Sequence, residues 1–401
     1  MSKIEELIQQ YCPDGVEYMP LYSITEQFSG MTGVSNKWAE SGNCMFIDYM
    51  NVYKHISVDT SALKYATVKS LNQNTLMKGD ILFTSASETP DECALSAVIE
   101  TDIQEGIFLD DHLFGLRLLD EYRTLISPSY LKYAFRSPWF RSQVRKVVRG
   151  VTRNYVSKTD FMKLTIPVPP LPVQEEIVRI LDTLTELQAE LQAELQKRLQ
   201  QYEYYRDKLL SFSDLSNWGG QEVSVEWKKL GEITTILRGK RLTKSQLSND
   251  KPYAVYHGGL EPLGYYESAN RTANTTMIIN VGASAGTIGY SKEDFWSSDG
   301  CYCVEHSKLF DDRYIYYALQ TKEQQLKSKV RVAGIPTLDK PVVEDLLVPI
   351  PPLAEQQRIV DILDRFSTLT TDLTAGLPAE IAARRKQYEY YRDQLLTFKQ
   401  K

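Results

Sequence analysis

The chain has 401 residues, 42% of them hydrophobic, with a mean hydropathy of −0.34 and a formal net charge of −6. That length supports two or three domains with their own cores, and no apolar run reaches the roughly 18 residues a membrane helix needs. Five cysteines, an odd number at scattered positions, argue against a disulfide framework and for a reducing cytoplasm.

The opening segment, MSKIEELIQQY, reads as a short amphipathic helix and not as a secretory leader with an apolar centre. Behind it, Val16-Glu17-Tyr18 with Leu21 and Ile24 is answered 209 residues later by Val225-Glu226-Trp227 with Leu230 and Ile233. Short β-like runs follow in both halves, Gly79-Asp80-Ile81-Leu82-Phe83-Thr84 and Thr276-Met277-Ile278-Ile279-Asn280-Val281, bounded by Gly and Ser turns. Tyr130-Leu131-Lys132-Tyr133-Ala134-Phe135 returns as Tyr314-Ile315-Tyr316-Tyr317-Ala318-Leu319 at an offset of 184. Mixed strands and short helices predict an α+β body in each half, the first about two dozen residues larger, as the shrinking offset requires.

After Ser137-Pro138, a cap and a first-turn proline, Phe140, Val144 and Val147 form an apolar helical stripe. Arg141, Arg145 and Arg149 lie beside it at i, i+4 and i+8, with Lys146 between them. From Lys132 to Lys163 there are nine basic residues against one acid, Asp160. The stripe runs into Gly150, Thr152, Arg153, Asn154 and Tyr155. The second half repeats the arrangement with Lys322, Lys327, Lys329 and Arg331 running into Gly334 and Thr337. A further basic cluster is Arg238, Lys240, Arg241 and Lys244. A solvated charged face is the ordinary reading of such stripes. The local bias and the small hydrogen-bonding loops favour double-stranded DNA, with Lys and Arg neutralising phosphates and Arg or Asn reading base edges. The acidic total does not oppose this, because a basic footprint is a local property.

Ile166-Pro167-Val168-Pro169-Pro170-Leu171 leads into one long predicted helix over 172–212. Its apolar positions 177, 180, 184, 187 and 191 alternate three and four apart, a coiled-coil seam that then steps by four through Leu-Gln-Ala-Glu tetrads. The polar segment 213–223 reads as a linker. Val348-Pro349-Ile350-Pro351-Pro352-Leu353 leads into a second helix to about Phe398, which Gly376 and Pro378 should bend or break. The helices end alike, QYEYYRDKLLSF at 201–212 and QYEYYRDQLLTF at 387–398. Candidate seam residues are Ile177, Leu181, Leu184, Leu187, Leu191, Ile359, Leu363, Phe366, Leu369 and Leu373. Packing of the helices on each other is preferred to packing of each on its own domain. The expected fold is therefore α+β, two globular domains separated by two long helices in an antiparallel coiled coil, with a pseudo-twofold repeat.

No catalytic signature is present. There is no phosphate loop, no Asn-Pro-Pro-Tyr or Asp-Pro-Pro-Tyr methyltransferase motif, and no acid-x-Lys partner for Pro90-Asp91-Glu92. Cys301, Cys303 and His306 fit no zinc spacing, so neither a catalytic nor a metal residue is assigned. The Gly-rich run 282–289, with Ser284, reads as a loop between strands, either approaching a ligand closely or simply turning.

The two proline lead-ins, Glu355-Gln356-Gln357-Arg358-Ile359-Val360 and the two Gln-Tyr-Glu-Tyr-Tyr-Arg-Asp endings make the chain resemble a specificity subunit of a type I restriction–modification system, over nearly its whole length. The resemblance implies target-recognition domains at 1–170 and 213–352, each reading half of a bipartite DNA site, and spacer helices at 171–212 and 353–401. It implies DNA adenine methyltransferase partners, two by symmetry, and restriction or motor subunits. S-adenosylmethionine, ATP and Mg²⁺ would sit on those partners, with no cofactor in this chain and no membrane role. Two rival readings stay open: a coiled-coil scaffold with two peptide-binding heads and no DNA binding, and an enzyme with an unrecognised site.

Overall fold

The short β-like runs of both halves become strands of a central antiparallel sheet in each half. In the computed structural model, residues 3–212, 224–371 and 376–401 are described. The linker 213–223 and Leu373 lie outside the described residues. The chain divides into two units, Met1–Glu190 with Ile381–Lys401, and Leu191–Glu380. The dividing points fall inside the long helices, where the sequence reading puts domain boundaries at the helix ends.

In the first unit the central sheet runs in the order Thr25–Ser29, Leu113–Leu118, Ile81–Thr84, Ser96–Val98. In the second the order is Ile236–Arg238, Cys301–Val304, Thr275–Ile279, Ile288–Ser291, the same sequence of partners. The middle strands Ile81–Thr84 and Thr275–Ile279 are buried on both faces, which is why they read as continuous apolar runs. The extra residues of the first unit belong with a further four-stranded sheet, Val34–Ala39, Lys64–Val68, Cys44–Ile47 and Ile107–Leu109, where the second unit has three strands.

Each unit seats its long helix through one repeated set of contacts. Pro167 and Pro349 lie in edge strands, paired with Tyr18 and Trp227, where a missing N–H is tolerated. Buried Gln174 accepts the Ser127 N–H (2.9 Å) and donates to the carbonyls of Leu125 and Pro169. Buried Gln356 accepts the Asp311 N–H (2.8 Å) and donates to Leu309 and Pro351. Tyr130 and Tyr314 donate to Pro167 O and Pro349 O at 3.0 and 2.9 Å. Asp182 takes Tyr133 and Lys132; Asp364 takes Tyr317 and Arg313. Backbone carbonyls turned away from any helix or sheet partner are satisfied this way, as buried polar groups must be.

The first long helix spans Leu171–Ser211 without interruption. The second is described as Leu353–Thr371 and Gly376–Leu395, and Gly376 begins the latter in the left-handed region (φ +76°). In the first unit, Thr185 hydrogen-bonds Tyr388, and Gln188 donates to Arg384 O (3.1 Å), an antiparallel order. In the second, Leu209 and Leu210 share a core with Ile359, Val360 and Leu363.

Ile177, Leu181, Ile359 and Leu363 are fully buried, while Leu184, Leu191 and Phe366 are half-buried. Leu187 and Leu369 do not join a buried seam, contrary to the spacing argument; they are 39% and 54% exposed. The buried start of each stripe meets the body of its own unit: Ile177 and Leu181 share the first unit's core, Ile359 and Leu363 that of Tyr314 and Tyr317. The buried start of each stripe is therefore shared between the body of its own unit and the end of the other long helix, Leu395 and Leu396 in the first unit and Leu209 and Leu210 in the second.

Candidate nucleic-acid interface

The basic helix of the first unit, Pro138–Val147, starts as its sequence requires. Ser137 accepts the Phe140 N–H (3.2 Å) and Pro138 occupies the first turn. Phe140 and Val144 are fully buried, and Phe140 sets its ring edge-on to Phe135 at 4.9 Å within an aromatic cluster that includes Phe83, Phe114 and Phe161. Burying such side chains stabilises by about 1.5–3 kcal/mol each. It fixes the opposite face outward.

That face is not uniformly available. Arg141 donates to the carbonyls of Ala94 (2.7 Å), Asp91 and Cys93. Burial pulls its pKa down to about 10, which leaves it charged at neutral pH. The expectation that Arg141 reaches DNA is therefore corrected: its guanidinium holds the turn 91–94. Asn154 is corrected likewise, being buried with Nδ2 on Glu88 O (2.9 Å). Of the nine cations in the basic stretch, Lys132 is buried against Glu100 and Asp182, and Arg136 donates to the carbonyls of Ser96, Val52 and His55. Counting charges along the chain cannot separate these from surface cations.

Arg145, Lys146, Arg149, Gly150, Thr152, Arg153 and Tyr155 are exposed. Arg145 pairs with Asp91 and Arg149 with Asp160 (2.7 Å), but all four are at least partly open to water. Such pairs are worth 0–1 kcal/mol and yield readily to a phosphate. Lys146 and Arg153 have no charged partner among the described residues. Val148–Arg149 and Asn154–Val156 form a small hairpin around Gly150, and the second strand pairs with Ala86–Ser87 at the exit of the central strand. Gly150 has φ +119°, and a Cβ there would lie 2.1 Å from Arg153 O. Only glycine fits this turn.

The second unit repeats the hairpin with fewer bonds. Arg331 and Thr337 exchange two backbone hydrogen bonds (2.9 and 3.0 Å) around Gly334 (φ +86°). Thr337 also bridges Val281, and Gly282 donates to Pro336 O (2.9 Å). The Gly-rich loop carrying half-buried Ser284 does connect antiparallel strands, Thr275–Ile279 and Ile288–Ser291, and lies against this hairpin. The preceding helix is short, Glu323–Ser328; Lys327 pairs with Glu323 on its surface. Lys329 and Arg331 are exposed, the latter pairing with Asp339. Arg238, Lys240, Arg241 and Lys244 are all exposed, without ion pairs among the described residues. Their segment is fixed by Trp296 Nε1 donating to Lys240 O (2.7 Å).

Two features went unread in the sequence. Beside Thr152 and Arg153 lies a cleft of about 740 Å³ with a stacked pair, Tyr49 and Tyr53, on its wall. Glu92 in that cleft accepts from Tyr53 (2.8 Å) and Ser87 (3.0 Å), which holds its carboxyl below the usual range, Tyr53 being the larger cause. The cleft joins three separate stretches, Tyr49 with Tyr53, Ser87 with Glu92 and Thr152 with Arg153, which no local pattern links. The other is the exposure of Val151, Val332 and Ile335 at the hairpin tips. Extending the 184-residue offset to Gly150-Val151 and Gly334-Ile335 would have found it.

Among the described residues, Asp110, Asp111 and His112 are the group close enough to share a metal ion, and Lys37 Nζ already lies among them, 3.0 Å from Asp110 Oδ1. His306 turns to Asp312 (2.8 Å) and Thr272. All five cysteines are buried free thiols, and no described helix is long and apolar enough to cross a membrane. The exposed cations and hairpins offer phosphate neutralisation and base-edge hydrogen bonding.

The family described as the type I restriction modification DNA specificity domain matches residues 13–201 and 222–383, so both halves are covered. The specificity subunit of the type I restriction enzyme EcoR124I/EcoR124II of Escherichia coli is 32% identical over 308 residues, covering 70% of this chain and 72% of that protein. The solved S subunit of a type I restriction–modification system from M. genitalium covers 96% of this chain and 97% of its own, with a TM-score of 0.57 and 17% identity. A structure described by complex assembly and conformational transition of the type I system covers 96% and 98%, with a TM-score of 0.60 and 18% identity.

Proposed function

The chain belongs to the type I restriction–modification DNA specificity family, and from that premise we propose that it reads a bipartite DNA site with one target-recognition domain in each half, 1–170 and 213–352. One observation carries the bipartite reading: each half repeats the same strand order, helix seat and glycine hairpin beside exposed cations. A protein that presents one device twice is suited to a target with two parts. The exposed cations supply sequence-independent attraction to phosphates; Arg153, Thr152, Tyr155, Arg331 and Thr337 stand where base edges would be read.

The long helices serve in this reading as an antiparallel spacer, and their exposed positions Leu187 and Leu369 as contacts for partner chains. Those partners are two DNA adenine methyltransferase subunits and restriction or motor subunits, in the cytoplasm. They carry S-adenosylmethionine, ATP and Mg²⁺, while this chain contributes recognition without catalysis. A peptide-binding scaffold is disfavoured because it gives no reason for unpaired cations beside both hairpins.

The test is to purify the chain assembled with its methyltransferase and sequence the modified genomic DNA. Two fixed half-sites separated by a constant gap are expected. Modification without sequence preference, or a single uninterrupted site, would refute the bipartite reading.

A further inference from the structure

Among the large apolar side chains that stand exposed in the described residues, the three most open are Val151 (fully exposed), Val332 (79%) and Ile335 (72%). A single exposed apolar residue is ordinary and needs no explanation. Three at the two hairpin tips do need one. The offset of 184 that carries Tyr130 to Tyr314 also carries Gly150 to Gly334 and Val151 to Ile335. Both glycines are in the left-handed region, and each is followed by an exposed β-branched side chain. Neither tip residue belongs to its unit's buried core. Packing inside the protein therefore does not account for an apolar residue at either place.

We infer that Val151 and Ile335 are equivalent base-contacting tips, each laying an apolar side chain on base edges in a groove of double-stranded DNA, one in each half-site. The inference rests on the DNA-reading assignment above. The occupant is argued from charge: Val151 stands between Arg149 and Arg153, with Lys146 nearby in sequence, and Ile335 follows Lys329 and Arg331, all exposed. A tip flanked along the chain by exposed cations fits a polyanion with apolar patches between its phosphates, and thymine methyl groups are the largest such patches in the major groove. Apolar contact of this kind carries sequence information without salt dependence, because no counterion is released.

The experiment uses the chain assembled with its methyltransferase and duplexes containing the half-sites found by sequencing modified DNA. Val151→Ser and Ile335→Ser each remove the apolar tip from a fully solvated position, so folding is not at stake; circular dichroism and assembly serve as controls. Each variant is expected to lose at least about fourfold in affinity for the intact site, the worth of one buried methylene, with the salt slope unchanged. Val151→Ser should lose nothing further on a duplex whose one half-site is scrambled, and Ile335→Ser nothing on the duplex with the other half scrambled. Wild-type affinity in both variants, or equal losses on intact and both scrambled duplexes, would overturn the inference. So would loss of assembly with the methyltransferase at unchanged DNA affinity, which would make the tips protein contacts. If wild type itself fails to distinguish target from scrambled DNA, the DNA-reading assignment falls first.

Discussion

Two arginines one helical turn apart should behave oppositely when removed. Arg141 makes three charge-assisted hydrogen bonds to the carbonyls of Ala94, Asp91 and Cys93. Hydrogen bonds to charged groups contribute about 1.5–3 kcal/mol each, and water can replace some of them at the edge of the turn. Arg141→Ala should therefore destabilise the first unit by about 3 kcal/mol, within the range for breaking a buried polar network. Among the described residues Arg145 pairs only with Asp91, both about 60% exposed, so Arg145→Ala should change stability by less than about 1 kcal/mol. On DNA the order reverses. If Arg145 meets a phosphate, its loss reduces the log–log salt slope by about 0.9. Between 50 and 200 mM salt, the gap between wild type and Arg145→Ala then narrows about threefold. The assay pairs urea unfolding of each variant with DNA titration of the assembled complex at several salt concentrations. Arg141→Ala unfolding at the wild-type midpoint, or Arg145→Ala keeping wild-type affinity and slope, would refute the assignment of that face.

Gln356→Ala should cost about 3–4 kcal/mol, because it leaves the Asp311 N–H and two carbonyls unpaired. The neighbouring exposed Gln357→Ala, which loses one bond to Asp361, should stay within about 0.5 kcal/mol; equal denaturation midpoints for the two would contradict the helix-seat argument. Buried Glu176 has its pKa lowered to about 2, first by the Arg179 hydrogen bond and further by Lys3. A depressed carboxyl stabilises the fold above its unfolded value of about 4.3 and loses that contribution as pH falls towards 2. The stability gap between wild type and Glu176→Gln should thus be full at pH 6 and close between about pH 4 and 2, so a gap constant over that range would count against the ion pair. Adding one Leu-Gln-Ala-Glu tetrad at 187–194 lengthens the first helix by about 6 Å, and the gap between half-sites should grow by one or two base pairs with the half-site sequences kept; unchanged spacing in an active complex would end the spacer proposal.

Much of the architecture was legible because repetition needs no geometry to be seen. The proline lead-ins, the twin Gln-Tyr-Glu-Tyr-Tyr-Arg-Asp endings and the helix break at Gly376 are local signals, set by backbone chemistry and by side chains a few residues apart. Ser137-Pro138 announced its helix for the same reason; at Gly150 only a small loop was legible, and its hairpin, where a φ of +119° with Arg153 O so close tolerates no side chain, came with the structure. The offset of 182 that carries Leu171 to Leu353 also carries Gln174 to Gln356, though nothing along the chain tells their task.

Only the tertiary structure decided which charges face water. Lys132, Arg136, Arg141 and Arg145 look alike along the chain, yet the first three hold carboxylates or backbone carbonyls of segments 32 to 84 residues distant, and Arg145 lies outside. The same holds for the seam. Leu181 and Leu187 share one apolar rhythm, and burial divides them because the body of the unit reaches Leu181 and stops short of Leu187. Periodicity states which side chains share a face; what that face meets depends on chain segments brought together by folding, which no local pattern encodes.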